Sequence, residues 1–512
     1  MDQSTRLIVN TVSNYATLAV NALVGFLLAP YILSRIGQES YGIWALTGSL
    51  LAYSQILSLG LNSAVNRWVP MYLVEKDAEG INRVVNTTLY FYLVASGIVG
   101  VGVAVLAFGF PSWFDVAPAL QSASRITVAL VGAAFVIVVT LNVFAAVLSG
   151  IQRYDLMALS DIASDLGRCL GVVIVLSNGF GLVAVAAVFA ATIAVRGSLK
   201  AVLAMRTCEE LRIDLSLARW QTFREMIGYS INTVLYTCGQ LIQRQAALIL
   251  VGLLYDAAAV TLYAMPLVLV SLGGQLVTSG SAAMKPAATR LDTLDKREQV
   301  QKLYLLGTKY ALLLALPLTA FFVAYADPIL HVWLGESYMA SSSILLAILA
   351  SGAVVYLWHM PAFFIVVGMG KHRMFGLLTL LRAILSLLTA VILTGVFELG
   401  IVGVAIGFAS CEAAVGLFLI TPYCCRCVGI TVRRELRSSF VPAALATLPF
   451  AVALGCAHRI YHFQPENVLE MLSLCGVLIV PLLAGWWFLG FTDEEKQRFA
   501  RALPLGGRFT RR

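Results

Sequence analysis

Residues Ile126–Ser149 read ITVALVGAAFVIVVTLNVFAAVLS, 24 consecutive residues without an Asp, Glu, Lys or Arg. About 20 apolar residues wound into an α-helix span the hydrocarbon core of a bilayer, so this stretch reads as a membrane crossing. Outward from it, similar runs recur along the whole chain, each bounded by charges or turn clusters. Fourteen are helix-length: Leu7–Leu33, Tyr41–Leu61, Asn86–Gly109, Ile126–Ser149, Leu156–Leu176, Leu182–Leu203, Ile227–Leu254, Ala258–Met284, Leu303–Ala326, Ser343–Val367, Met374–Thr394, Ile401–Ile420, Val441–Ala457 and Val468–Phe491. None has the ten-residue alternation of a barrel strand. The fold class expected is therefore all-α and polytopic.

Composition agrees. Of the 512 residues 60% are hydrophobic and 12% charged, whereas soluble domains carry about 25% charged residues. So few charges cannot clothe a surface exposed to water. A soluble enzyme, a disordered chain and a small disulfide-stapled domain are excluded. The apolar run Leu7–Leu33 exceeds the h-region of a signal peptide, and no small-residue cleavage site follows it, which argues against a cleaved leader. The nine cysteines lie within spans or on the inner side and imply no disulfide framework. Cys424, Cys425 and Cys427 lack a second ligand pair at zinc spacing, so no metal or other cofactor is expected.

With the N-terminus inside, 27 of the 35 Lys and Arg fall on the inner side and three on the outer. The other five, Arg168, Arg196, Lys200, Arg244 and Arg382, fall within or at the ends of spans. Cytoplasmic loops carry such an excess of positive charge, which places both termini in the cytoplasm. The net charge of +8 then reflects topology and contact with anionic membrane lipids, with no role in binding nucleic acid.

The chain matches itself at an offset of 219. Tyr41-Gly42-Ile43-Trp44 lies over Val260-Thr261-Leu262-Tyr263, Ser63-Ala64 over Ala282-Ala283, and Gly181–Ala186 over Gly400–Ala405. Spans 1–6 and 7–12 read as two copies of one unit. Because six is even, the copies share an orientation, a parallel repeat about an axis along the membrane normal. The organisation expected is an N-lobe at 1–205, a cytoplasmic linker at 206–226, a C-lobe at 227–425, two further helices at 426–492 and a cytoplasmic tail at 493–512. Facing lobes of this kind point to alternating access, with the substrate cavity between them.

Asn10, Asn14, Thr17 and Asn21 fall on one face of span 1. The repeat-equivalent positions of span 7 are Tyr229, Thr233, Tyr236 and Gln240, a line extended by Gln243 and Arg244. Amides in hydrocarbon must be paired. The two stripes either bond helix to helix or wall a hydrated cavity. Arg244 lies 19 residues after Glu225 and 12 before Asp256, in the middle third of the membrane. An Arg there costs about 2.5–3.5 kcal/mol on insertion scales and needs a carboxylate, water or an anionic substrate. Its planar fork suits a phosphate or diphosphate, the alternative being an acid on another span. Asp165 and Arg168 are spaced to pair on one helix. Arg382 and Glu412 sit at equal depth on adjacent spans, which predicts an ion pair, with proton coupling through Glu412 as the alternative.

No phosphate-binding loop is present, since Gly368-Met369-Gly370-Lys371-His372 has the wrong spacing and a His in place of the hydroxyl. Neither a nucleophile–base constellation nor an HExxH stands out, so the chain is not expected to be an enzyme. Transport would be driven by an ion gradient, the membrane potential or consumption of product.

Ile36-Gly37-Gln38-Glu39-Ser40-Tyr41-Gly42-Ile43-Trp44, Leu59-Gly60-Leu61-Asn62-Ser63-Ala64-Val65-Asn66-Arg67 and Glu398–Ala405 resemble the polysaccharide-biosynthesis flippases. These are lipid-linked oligosaccharide translocases of the multidrug/oligosaccharidyl-lipid/polysaccharide exporter superfamily. The resemblance covers the first twelve spans. It implies a V-shaped, MATE-like bundle of fourteen helices that passes an undecaprenyl-diphosphate-linked glycan to the outer leaflet of a bacterial inner membrane. A polysaccharide polymerase and other assembly proteins are then candidate partners, and H+ or Na+ candidate coupling ions. Family members often carry an acid in mid-span 7, where this chain reads Gln243-Arg244-Gln245. The departure counts against acid-based coupling there and fits a cavity for anions. Rival readings are an ion-coupled multidrug exporter, a peptidoglycan-precursor flippase, which would carry several arginines in span 1, and a scaffold without transport activity.

Overall fold

The computed structural model describes residues 3–58 and 61–502, with side chains outside the description at 3–12, 14–15, 57–58, 63, 229–233, 337, 339–341 and 498–502. Among the described residues every regular element is helical. The first half comprises α1 (Gln3–Ile36), α2 (Gln38–Ala52), α3 (Leu61–Glu75), α4 (Ala78–Trp113), α5 (Gln121–Gly150), α6 (Tyr154–Ser177), α7 (Leu182–Thr207), α8 (Trp220–Leu254) and α9 (Ala257–Ala282). The second half comprises α10 (Met284–Thr293), α11 (Arg297–Ala324), α12 (Ala326–Leu334), α13 (Met339–Gly368), α14 (His372–Gly395), α15 (Gly400–Val415), α16 (Thr421–Val428), α17 (Val432–Glu435), α18 (Val441–Gly455), α19 (Val468–Gly485) and α20 (Asp493–Ala502). Single π turns join α15 to α16 and α17 to α18, so each pair makes one crossing.

Among the described residues twelve helical stretches are long and apolar enough to cross a membrane, against fourteen expected. The two others have different reasons. Within the expected Tyr41–Leu61 span, α2 has 15 residues, about 22 Å at 1.5 Å per residue, and passes into the 3-10 helix Tyr53–Ser58. The 24 residues of α6 are long enough, but Asp161, Asp165 and Arg168 stand in its middle.

The chain divides into two compact units, Met1–Val268 with Thr379–Ala383, and Leu269–Leu378 with Ile384–Arg512. In the first, α5 packs on α4 and α7, while α6 packs on α1 and α7. Its core gathers Val65, Val69, Val85, Tyr92, Val147 and Met226. The stretch expected as a linker, 206–226, is tied to α4. Asn82 donates to Glu210 O (2.8 Å) and accepts from Arg212 N (2.6 Å). One turn on, Asn86 donates to Arg212 O (2.7 Å) and accepts from Asp214 N (2.8 Å). Two buried amides thus act as a sheet edge for a segment without one.

At the other end of this unit Gly37 turns the chain at φ 81°, and the start of α2 lies on the start of α9. The Gln38 side chain donates to Ala258 O (3.0 Å), and the Thr261 hydroxyl to Gln38 O (2.7 Å). Gly42 meets the Ala257 carbonyl so closely that a Cβ has no room. The segments in contact, 38–42 and 257–261, are offset by 219 residues, although the individual contacts pair residues at other separations.

In the second unit α11 packs on α13 and α18, and α18 on α19. Helix α20 is held there by Glu495, which accepts from Lys309 Nζ (2.6 Å), Tyr310 Oη (2.8 Å) and Thr492 N (2.7 Å). Lys309 also donates to Gly490 O (3.0 Å). Burial pushes the Glu495 carboxyl up, but these donors outweigh it and hold the carboxyl below the usual range.

Candidate functional site

Halfway along the first unit's helices a group of charges gathers between α1, α6 and α7. Asp161, Asp165 and Arg168 are residues 8, 12 and 15 of the 24 in α6, so they share one side. Arg196 and Lys200 are residues 15 and 19 of the 26 in α7, one turn apart and likewise on one side. Helix packing brings the two sides together. Lys200 Nζ reaches Asp161 Oδ1 at 2.6 Å, with Arg196 Nε 3.9 Å from the same oxygen. Arg168 Nη2 reaches Asp165 Oδ1 at 3.0 Å, and the Asn21 amide of α1 donates to Asp165 Oδ2 at 3.3 Å.

Three cations meet two carboxylates. Lys200 takes the short contact to Asp161 and leaves Arg196 the longer one, so the surplus charge centres on Arg196, whose side chain is 29% exposed. Charges at membrane depth face a bundle interior or water, since hydrocarbon penalises them by several kcal/mol. Together the residues form a polar, partly open patch with one excess positive charge, able to hold an anion by charge-assisted hydrogen bonds.

The expected stripes are placed unevenly. The side chains of Asn10 and Asn14 lie outside the description. The Thr17 hydroxyl bonds the Ser13 carbonyl of its own helix at 2.9 Å, which a helical Thr does readily. Asn21 bonds across to α6, so within span 1 the helix–helix reading is realised at the one described amide. On α8, Tyr236, Gln240 and Gln243 are half-buried and Arg244 is exposed. Arg382 and Glu412 are both buried. Arg196 and Lys200 received no role in the sequence reading, although their one-turn spacing opposite Asp161 and Asp165 was a usable signal.

An all-helical bundle with this many crossings, carrying charge at mid-depth, defines a multi-pass membrane protein. Residues 32–343 match the family described as Polysaccharide biosynthesis protein, and the chain belongs to that family. It is similar to the uncharacterized membrane protein EpsK of Bacillus subtilis (strain 168), 24% identical over 452 residues covering 87% of this chain and 88% of that protein. Its fold is similar to that of the lipid II flippase MurJ in an inward closed conformation, with TM-score 0.72 at 12% identity over 97% of this chain and 99% of that one. It is also similar to an inward-facing multidrug resistance MATE family transporter, with TM-score 0.70 at 16% identity over 81% and 96%.

Proposed function

We propose that the protein is a flippase that moves undecaprenyl-diphosphate-linked oligosaccharide units from the cytoplasmic to the outer leaflet of a bacterial inner membrane, for exopolysaccharide, capsule or O-antigen synthesis. The observation that carries the reading is the mid-depth group in which Arg168, Arg196 and Lys200 outnumber Asp161 and Asp165. A lipid-linked glycan keeps its polyprenyl tail in the bilayer, so the costly part of the journey is the diphosphate with its sugars. Guanidinium groups fixed at mid-depth exchange the headgroup's hydration for charge-assisted hydrogen bonds. Arg196 offers its surplus charge from α7, and Arg244 a second fork from α8, supported by Gln240, Gln243 and Tyr236. The lobes at 1–205 and 227–425 would expose the site to each leaflet in turn. No bond in the substrate is made or broken, so the protein needs no catalytic residue.

A multidrug exporter that binds cations needs carboxylates free to meet them, and here Asp161 and Asp165 each hold a built-in cation. A peptidoglycan-precursor flippase would carry arginines in span 1, and Leu7–Leu33 has none.

The test is export of labelled glycan in cells or vesicles at matched membrane abundance. Arg196→Gln and Arg244→Ala are each expected to lower export at least tenfold, the effect of losing roughly 1.4 kcal/mol or more of a charged hydrogen bond. Arg244→Lys should keep part of it. Wild-type export by both neutral variants, or efflux of organic cations by the wild type, would reject the reading.

A further inference from the structure

Glu435 ends the short helix α17 and is 1% exposed. Side chains from three other helices aim at its carboxylate. Tyr304 Oη of α11 lies 3.1 Å and Trp358 Nε1 of α13 lies 2.8 Å from Oε1, and Cys425 Sγ of α16 lies 2.8 Å from Oε2. All three are neutral donors. Lys309 is engaged with Glu495, Lys302 with Glu494, and Arg434 with Gln301, while Arg426, Arg433 and Arg437 are exposed. Among the described residues no ion pair reaches Glu435. A buried carboxylate without countercharge is costly.

The shell also says what the site can bind. Tyr and Cys can each donate or accept, whereas Trp only donates. With Glu435 ionised, all three donors point at it. With Glu435 protonated, Trp358 keeps its bond, while the tyrosine hydroxyl or the thiol turns to accept the new O–H. Both states are satisfied, so a proton can enter and leave without dismantling the pocket. A hard metal cation instead needs a shell of oxygen lone pairs, which an indole N–H and a thiol do not supply. The other titratable groups facing the pocket are Tyr304 itself and the thiols of Cys424 and Cys425. His359 of α13 is occupied with Thr421 at 2.8 Å, and α18 carries no titratable side chain. Arg433 and Arg437 flank Glu435 in sequence.

We propose that Glu435 is a proton-binding site of the second unit and that its occupancy couples a proton gradient to transport. The coupling half rests on the flippase reading; the binding half does not. Loss of the negative charge turns three charge-assisted hydrogen bonds into weaker neutral ones. Protonation therefore loosens the junction of α11, α13, α16 and α17, and deprotonation tightens it.

Infrared titration of the purified protein tests binding without any substrate. A carboxylic C=O band that appears on acidification is expected in the wild type and lost in Glu435→Gln. Trp358→Phe removes a donor to the anion, so the same band should persist to higher pH. No titrating band in the wild type, or an unchanged band in Glu435→Gln, would overturn the proposal. Coupling is read in vesicles as acceleration of glycan translocation by an imposed pH gradient, present in the wild type and absent in Glu435→Gln. An equal response in both would reduce Glu435 to a structural anchor. Absence of translocation in the wild type would instead remove the flippase reading and leave the infrared result to judge the site.

Discussion

Lys309 and Glu495 form a deeply buried ion pair, with side chains 3% and 6% exposed. Breaking such a pair from one side strands the other charge, at about 3–5 kcal/mol. Lys309→Ala should therefore cost more than Glu495→Gln, which keeps an acceptor for the ammonium. The carboxyl of Glu495 is held below its ordinary range. A lowered folded value means that its contribution is complete above the unfolded carboxylate range and is lost as pH falls through the folded value. Hydrogen exchange over residues 493–497 should accordingly show protection at neutral pH that fades on acidification, and less of that fading in Glu495→Gln. The same fading in both would place the titrating group elsewhere.

At the scale of elements, two junctions fix how helices meet in the first unit. The Asn82 and Asn86 amides hold residues 210–214 against α4. Asn86→Ala would orphan a backbone N–H and a carbonyl, at about 1–3 kcal/mol for each group left unsatisfied. Limited proteolysis should then cut within 206–219 several-fold faster, and an unchanged rate would mean that water replaces the amide without cost. Gly42 lets α2 rest on the start of α9, and Gly42→Val should lower thermal stability by roughly 1–3 kcal/mol, the usual cost of overpacking. Hydropathy locates each helix but says little about such junctions. Asn82 and Asn86 read in sequence as polar residues at a span's edge, and nothing local names residues 210–214 as their partners. The expected Tyr41–Leu61 crossing shows the same limit. Its apolar run is continuous, whereas the backbone leaves the α-helix at Tyr53.

For the whole molecule, the absence of a phosphate-binding loop in the sequence and the proposed gradient coupling lead to one expectation. Reconstituted alone in liposomes, the protein should move a fluorescent polyprenyl-diphosphate glycan between leaflets without nucleotide. A requirement for ATP or for a second protein would favour the scaffold reading.

Helix positions, membrane class and the bias of basic residues followed from the sequence, because hydrophobicity acts residue by residue and sums along a run of twenty. The pairing of Asp165 with Arg168 was legible for a related reason, since both lie on one helix three residues apart. The meetings of Asn21 with Asp165, 144 residues apart, of Lys200 with Asp161, 39 apart, and of Glu435 with Tyr304, 131 apart, were not. Each depends on the rotation of a helix about its own axis and on its register against a neighbour. Side-chain packing between helices sets those two quantities, and no count of apolar residues contains them.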